Sequence, residues 1–364
     1  MAVRQAPARR GRTRPAGVSR TAPLHGVPLP LQAAVLTAVL VGLALVAAGI
    51  GSVDVPVARS FDVVTGHLTG HTAGLDPVQD QIIWQYRLPR VLLAALTGAG
   101  LSVAGVVLQA LVLNPLADPY VLGVSSGASL GAVLVLTLGS GVAGGLGVSS
   151  AAFAGAMAAA LLVFALGQRA GRLAPTRLVL AGVAVGYVLL AATSYVQLQA
   201  TPDELRAVMF WMLGSVAGAA WAQIPVVAAV VGTCLVILMA YGGRLNALVT
   251  GEESAIALGV DVRRARVGLL AASSLLVGVL IAVAGGIGFV GLMIPHLVRL
   301  ATGADHRRLL PLSALTGAVF LVAVDLLSRT LDRPNELPLG IFTAALGAPF
   351  FLWLLRKDRS VTAS

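Results

Sequence analysis

Ten apolar runs, parted by short polar or proline-broken stretches, take up most of this chain. They fall near residues 31–51, 91–113, 119–139, 146–168, 178–199, 223–242, 267–287, 288–303, 309–328 and 339–355. A helix rises about 1.5 Å per residue, so about twenty apolar residues cross the roughly 30 Å hydrocarbon core of a bilayer. A chain that is 57% hydrophobic and only 11% charged, with mean hydropathy +0.91, cannot cover itself with a polar surface. The pattern therefore predicts an all-α integral membrane protein of about ten transmembrane helices, each satisfying its own backbone. The run at 288–303 is short and holds His296 and Arg299, which makes it the weakest candidate for a full crossing.

Charge placement gives the orientation. The net charge of +10 would suggest nucleic acid if the basic residues formed one patch, but they do not. With ten crossings, nineteen of the twenty-five lysines and arginines fall on the side of the N-terminus and six (Arg59, Arg87, Arg90, Arg206, Arg329 and Arg333) on the other. Basic loops stay cytoplasmic, so both termini are expected inside and nucleic acid is excluded as a partner. The expected division is a basic, disordered cytoplasmic segment at 1–30, a ten-helix membrane domain at 31–357 with a polar inner connection at 245–266, and a cytoplasmic tail at 358–364. The apolar run after residue 30 is long enough to span, which favours an uncleaved start over a secretory or twin-arginine leader at Arg9-Arg10.

Two single residues exclude whole classes of chemistry. The one cysteine, Cys234, allows neither an internal disulfide nor a cysteine metal cluster. The one lysine, Lys357, follows no glycine-rich turn, so the chain has no phosphate-binding P-loop. Any nucleotide energy must come from another chain. No Ser-His-Asp order, HExxH or paired intramembrane carboxylates occur, so no catalytic residue is assigned; Asp325 is the only acid in a proposed span. His67 and His71 share a spacing of four, but Gly70 and the want of a third ligand favour no metal site. Gly182 and Gly186 form a GxxxG best read as helix packing.

Three stretches carry more specific expectations. In 87–132, two apolar runs meet at Asn114-Pro-Leu-Ala-Asp-Pro119. Pro115 and Pro119 break the helix and Asp118 is placed to cap the next one. So short a turn predicts antiparallel helices in contact, with Gly98, Gly100, Ala104 and Gly105 admitting a close backbone. The turn reads either as a tight hairpin or as a constriction at the inner mouth of a pore. Arg87, Arg90 and Arg329 lie at outer helix ends, where they either snorkel or hold the carboxylates of a docked protein; Arg329 can also pair with Asp325 one turn away. In the inner connection, Gly251 and Gly259 bracket a short helix begun by Glu252 and Glu253 and exposing Ile256 and Leu258. Such an apolar-faced cytoplasmic helix wants a partner. A weaker echo at an offset of 186 residues (Gly100/Gly286, Gly105/Gly291, Gly131/Gly317) raises the possibility of an internal repeat.

The runs RLPR…LQALVLNPLADPYVLGVSSGA, GEESAIALGV, GGIGFVGLMIPHLVRLATGADHRRLLPLSALTGA and ELPLGIFTAALGAPFFLWLL, in this order across about residues 80–357, resemble the permeases of bacterial importers for ferric siderophores, haem and cobalamin (the FecCD type). These are type II importers of the ATP-binding cassette class. The resemblance implies a ten-helix subunit in the bacterial cytoplasmic membrane, paired with a second copy or homologue. Two ATPase subunits, which hold the ATP and magnesium, and an extracytoplasmic binding protein would complete the assembly. Arg87, Arg90 and Arg329 match the family's docking arginines, and 251–259 (Gly251, Glu252, Ala255, Leu258, Gly259) its ATPase-coupling helix. Asn114 and Leu116 match the inner gate, joined by the loop around Pro175 and Thr176. That loop reads Leu173-Ala-Pro-Thr176 where relatives often have serine and threonine, and the arginine-rich N-terminus lies outside the pattern. No cofactor or metal is expected on this chain. The alternative from another class is a secondary transporter acting alone, for which Asp325 and His296 would be the coupling groups.

Overall fold

The computed structural model describes residues 22–51, 55–71, 74, 76–141, 144–169, 172–173 and 175–362. In chain order the helices are α1 (Leu29–Gly49), α2 (Val57–Thr69), α3 (Pro77–Asp80), α4 (Leu88–Leu111), α5 (Val124–Leu138), α6 (Val148–Gly167), α7 (Pro175–Gln197) and α8 (Pro202–Met212). They continue as α9 (Ile224–Ala240), α10 (Gly242–Val249), α11 (Glu252–Ala257), α12 (Val262–Ala284), α13 (Val290–Thr302), α14 (His306–Ser328) and α15 (Leu339–Thr362). A two-residue antiparallel ladder, 168–169 against 172–173, precedes α7. A π-helical turn at 81–87 joins α3 to α4 without a break.

Each apolar run contains a helix, but not every helix can cross alone. Among the described residues six stretches are long and apolar enough: α1, the continuous 77–111 stretch ending in α4, α6, α7, α12 and α14. Helix α9 joins α10 with a 54° bend. Helices α5 and α13, at 15 and 13 residues, and the apolar part of α15 (Leu339–Leu354) are shorter. At about 1.5 Å per residue α13 reaches only about two thirds of the way through a hydrocarbon core.

Helix α4 is the axis of the bundle. It is buried along most of its length and packs chiefly on α14, α12 and α13. Its glycines work as expected but for other partners: a Cβ on Gly98 would strike the Gly317 carbonyl of α14, and one on Gly105 the Gly291 carbonyl of α13. The expected α4–α5 hairpin contact is therefore corrected. Residues 112–118 double back, and the Pro119 ring rests on Gly291, where an added Cβ would lie 2.7 Å from its Cδ. Helix α13 thus comes between α4 and the start of α5. Helix α5 spends its own small residues on α6, Gly127 against Gly155 and Gly131 against Ala151. Small residues specify close approach, not with whom.

Between α12 and α13 the chain runs irregularly through Gly285-Gly-Ile-Gly288, and its polar groups find partners. Ile287 N–H donates to the Tyr120 hydroxyl at 2.6 Å, and Ser215 N–H to the Ala284 carbonyl at 2.8 Å. Such a break is tolerated where protein covers it. It also argues against a structural repeat: Gly100 and Gly105 lie on one unbroken helix, whereas the matching Gly286 and Gly291 straddle this break. The echo reflects small residues at packing points.

Both expected domain edges fall within ordered chain. Residues 22–28 form a turn held to α13 and α14: Leu24 N–H donates to the Ala301 carbonyl at 2.8 Å, and Arg308 to the carbonyls of His25 and Val27 at 2.7 and 2.6 Å. The expected disorder of residues 1–21 lies outside the described residues. At the other end α15 runs on to Thr362, past the tail expected from 358.

Candidate functional site

Two ends of the bundle concentrate polar residues. At one end Arg87, Arg90 and Arg329 meet, and apart from the i,i+4 contact of Arg329 with Asp325 the groups they bind lie 38 to 282 residues away. Helix α1 ends here with unsatisfied carbonyls, as every helix does. Arg87 donates to the Ala48 and Gly49 carbonyls at 2.9 and 2.6 Å, and Arg329 to that of Ala47 at 2.6 Å. The positive side chains also complement the negative end of the helix. Asp325, fully buried, accepts from Arg90 at 2.8 Å and lies 3.5 Å from Arg329. Arg90 reaches Glu336 as well, at 2.8 Å, and that carboxylate remains 45% exposed.

The Asp325–Arg329 pair was legible as an i,i+4 spacing; Arg90 joining it from α4 was not. All three arginines are 5–7% exposed, so they are ligands of the bundle's own helix end and carboxylates, not surface snorkels. Between them opens a 320 Å³ recess, also lined by Gly51, Ile82 and Tyr86 and rimmed by Glu336. It can hold one or two anionic side chains, provided these share or displace Glu336.

His67, from α2, contacts two other side chains. Its Nε2 lies 2.7 Å from Asp80, and its ring stacks on Trp84 at 3.9 Å. No group of three metal-binding side chains occurs among the described residues.

The opposite end carries the Asn114 turn and the 242–261 connection. Leu113 takes a left-handed conformation (φ 53°), and the Asn114 side chain accepts from Leu116 N–H at 2.9 Å. The Asx turn thus formed reverses the chain and leaves Leu113 and Leu116 53% and 40% exposed. Asp118 accepts from Tyr120 N–H at 2.9 Å, capping a single 3₁₀ turn at 119–122; α5 itself starts five residues after Pro119. Asn114 and Pro115 share a 360 Å³ recess with Gln109, Arg299, Val249 and His306. Arg299 donates to the Gln109 amide oxygen at 2.9 Å, tying α13 to α4. Thr176, exposed on the first turn of α7, is not among the residues lining this recess; Pro175 opens that helix.

Gln109, Arg299, Asn246 and His306 were missed as site residues, and the signal for the first two was a polar side chain inside an apolar run. Asn246 bridges α10 to α14, donating to Asp305 at 2.7 Å and accepting from His306 N–H at 2.9 Å. Its amide, the main influence, holds the Asp305 carboxyl below the usual carboxylate range.

The short helix α11 stands as expected. Gly251 and Gly259 take positive φ (109° and 77°), which a residue with a side chain adopts only at a cost. Ala255 faces inward, fully buried, whereas Ile256 and Leu258 are 59% and 70% exposed. Glu252 sits on the positive end of the helix and pairs with Arg266 at 3.0 Å. Arg263, Arg264 and Arg266 lie in the opening turns of α12, behind the Asp261 cap.

A bundle of apolar helices, six stretches of it long enough to cross a bilayer, with a polar recess at each end and an exposed apolar helix, marks a multi-pass membrane protein. The chain belongs to the FecCD transport family, whose model matches residues 36–357. It is 46% identical over 290 residues (80% of this chain, 77% of the relative) to a cobalamin import system permease of Halobacterium salinarum. It is 38% identical to the hemin transport system permease of Yersinia pestis, covering 89% of this chain and 95% of the relative. A solved structure described as an inward-facing metal-chelate type ABC transporter superposes with TM-score 0.79 at 34% identity, over 90% of this chain and 99% of that one. Both relatives are named as permeases, and the resemblance seen in the motifs holds over residues 36–357.

Proposed function

We propose that this protein is the membrane subunit of an ATP-driven importer that moves a metal chelate or tetrapyrrole (ferric siderophore, haem or cobalamin) into the bacterial cytoplasm. In this reading the membrane is crossed ten times, with both termini and α11 inside. The Arg87, Arg90 and Arg329 recess faces outward to receive acidic residues of a binding protein. The observation that carries the proposal is the exposed apolar face of α11, held on a glycine-bracketed support in a chain with no nucleotide-binding loop of its own. ATPase subunits seated on Ile256 and Leu258 would pull on the Glu252–Arg266 link and so on α12. The Asn114–Leu116 turn is the inner gate, working between two copies or homologues of this chain by a shift between two packings. Thr176 and Pro175 remain proposed partners of that gate across the bundle.

Reversing Arg87, Arg90 and Arg329 to Glu would set carboxylates against Asp325 and the α1 carbonyls, so lost docking would follow from lost packing alone. Co-purification of this chain with its ATPase before and after Leu258→Glu is cleaner, since the Leu258 side chain is 70% exposed. Loss of the ATPase at unchanged thermal stability is expected; retention of it would refute the coupling role. Identifying the ligand of the co-purified binding protein by mass spectrometry would name the cargo class.

A further inference from the structure

Of the cavities described here the roomiest is not at either proposed gate. It measures 1020 Å³ and lies where α9 bends into α10, walled also by the starts of α12 and α14. Three arginines from three elements border it: Arg244 of α10, Arg264 of α12 and Arg307 of α14. One carboxylate, Asp261, is present, and it is engaged in capping α12 and pairing with Arg264 at 3.1 Å. Arg244 and Arg307 make no salt bridge among the described residues. Arg244 lies over the Tyr241 ring at 4.5 Å from its centroid, and the Arg307 guanidinium lies over Gly243, within 3.0 Å of where a Cβ would be. Two guanidinium groups thus border one space with no carboxylate in salt-bridge contact with either, since Asp261 is held by Arg264.

The depth of the cavity identifies the anion's source. Its wall includes Met239 and Ala240, the last residues of the apolar helix α9, and Gly243 and Arg244 of the more polar α10 that follows, an apolar-to-polar change of the kind found at the edge of a bilayer core. Just above, Val236 and Ile237 are 69% and 43% exposed on the same helix. We propose that this cavity is a binding site for an anionic phospholipid, with the phosphate group between Arg244 and Arg307 and the acyl chains along Val236 and Ile237. Basic pockets at the end of membrane helices suit such headgroups. A lipid there would brace the α9–α10 bend against α14, next to the proposed coupling helix. The proposal requires a membrane-embedded chain and does not depend on the identity of the cargo; because Leu258 and Gly259 of the coupling connection also line the cavity, competition with the ATPase is one outcome of the test.

The test uses the purified full-length chain in nanodiscs of mixed phosphatidylcholine and phosphatidylglycerol, with retained lipid counted by native mass spectrometry after transfer to detergent. Wild-type protein should retain phosphatidylglycerol in preference to phosphatidylcholine. The double variant R244Q/R307Q should lose that preference by roughly tenfold or more. R244K/R307K, which keeps both charges, should restore most of it, and restoration separates lost binding from lost folding. Equal retention by wild type and R244Q/R307Q would overturn the proposal. Displacement of the lipid by inorganic phosphate as readily as by short-chain phosphatidylglycerol would assign the site to a soluble phosphate instead. Release of the lipid on adding the ATPase would assign the arginines to that partner and equally refute a lipid site.

Discussion

Asp325 shows how much depends on single side chains here. It is fully buried between Arg90 and Arg329, and each partner has further bonds that fix the bundle end. Breaking a buried ion pair by removing one partner leaves the other charge uncompensated, at a cost of about 3–5 kcal/mol. Asp325→Asn should therefore lower the thermal midpoint sharply in detergent. Arg90→Gln, which still leaves Asp325 beside Arg329, should lower it less; the reverse order in a thermal melt would contradict this pairing. Asp305 is a milder case at the other end. Its carboxylate caps α14 through Arg307 N–H at 3.0 Å and accepts from Asn246. Because its folded pKa is depressed, its stabilisation is present above the ordinary carboxylate range and is lost as pH falls through the lowered value. Asp305→Ala should cost about 1 kcal/mol at neutral pH and progressively less in acid, measured as the difference in midpoint from wild type.

Among elements, α4 carries the bundle and α11 the proposed coupling. An alanine at Gly105 would drive its methyl into the Gly291 carbonyl, and α13 could not stay seated on α4. Overpacking of this kind costs about 1–3 kcal/mol, so Gly105→Ala should reduce folded yield, whereas Gly42→Ala, with open space around it, should not. The existence of these helices was legible because apolar runs, prolines and caps are local signals. Asp118, Asp261 and the glycines at 251 and 259 all act as their types suggest. Partner choice was not legible. Gly98, Gly105, Gly127 and Gly131 all announce a close approach, and only the three-dimensional structure assigns the first two to α14 and α13 and the others to α6. The five-residue turn at 114–118 looked like a hairpin because nothing local revealed that α13 lies between its arms.

For the whole molecule, the family was readable from motif order, since the motifs span most of the chain, and the comparisons bear it out over residues 36–357. The site was readable only in part. Charge counting drew attention to Arg87, Arg90 and Arg329, but not to their burial against the end of α1, which depends on contacts across up to 282 residues. The Gln109–Arg299 link, 190 residues apart, was hidden for the same reason. The central claim is that transport through this chain is driven by ATP in a partner. Its most direct test is uptake of labelled cobalamin, haem and ferric siderophore into proteoliposomes holding this chain and the binding protein, with and without the ATPase subunits and internal ATP. Accumulation of one of these cargoes only when ATPase and ATP are both present is the predicted result. Uptake driven by an ion gradient in their absence would contradict it and make the chain a secondary transporter.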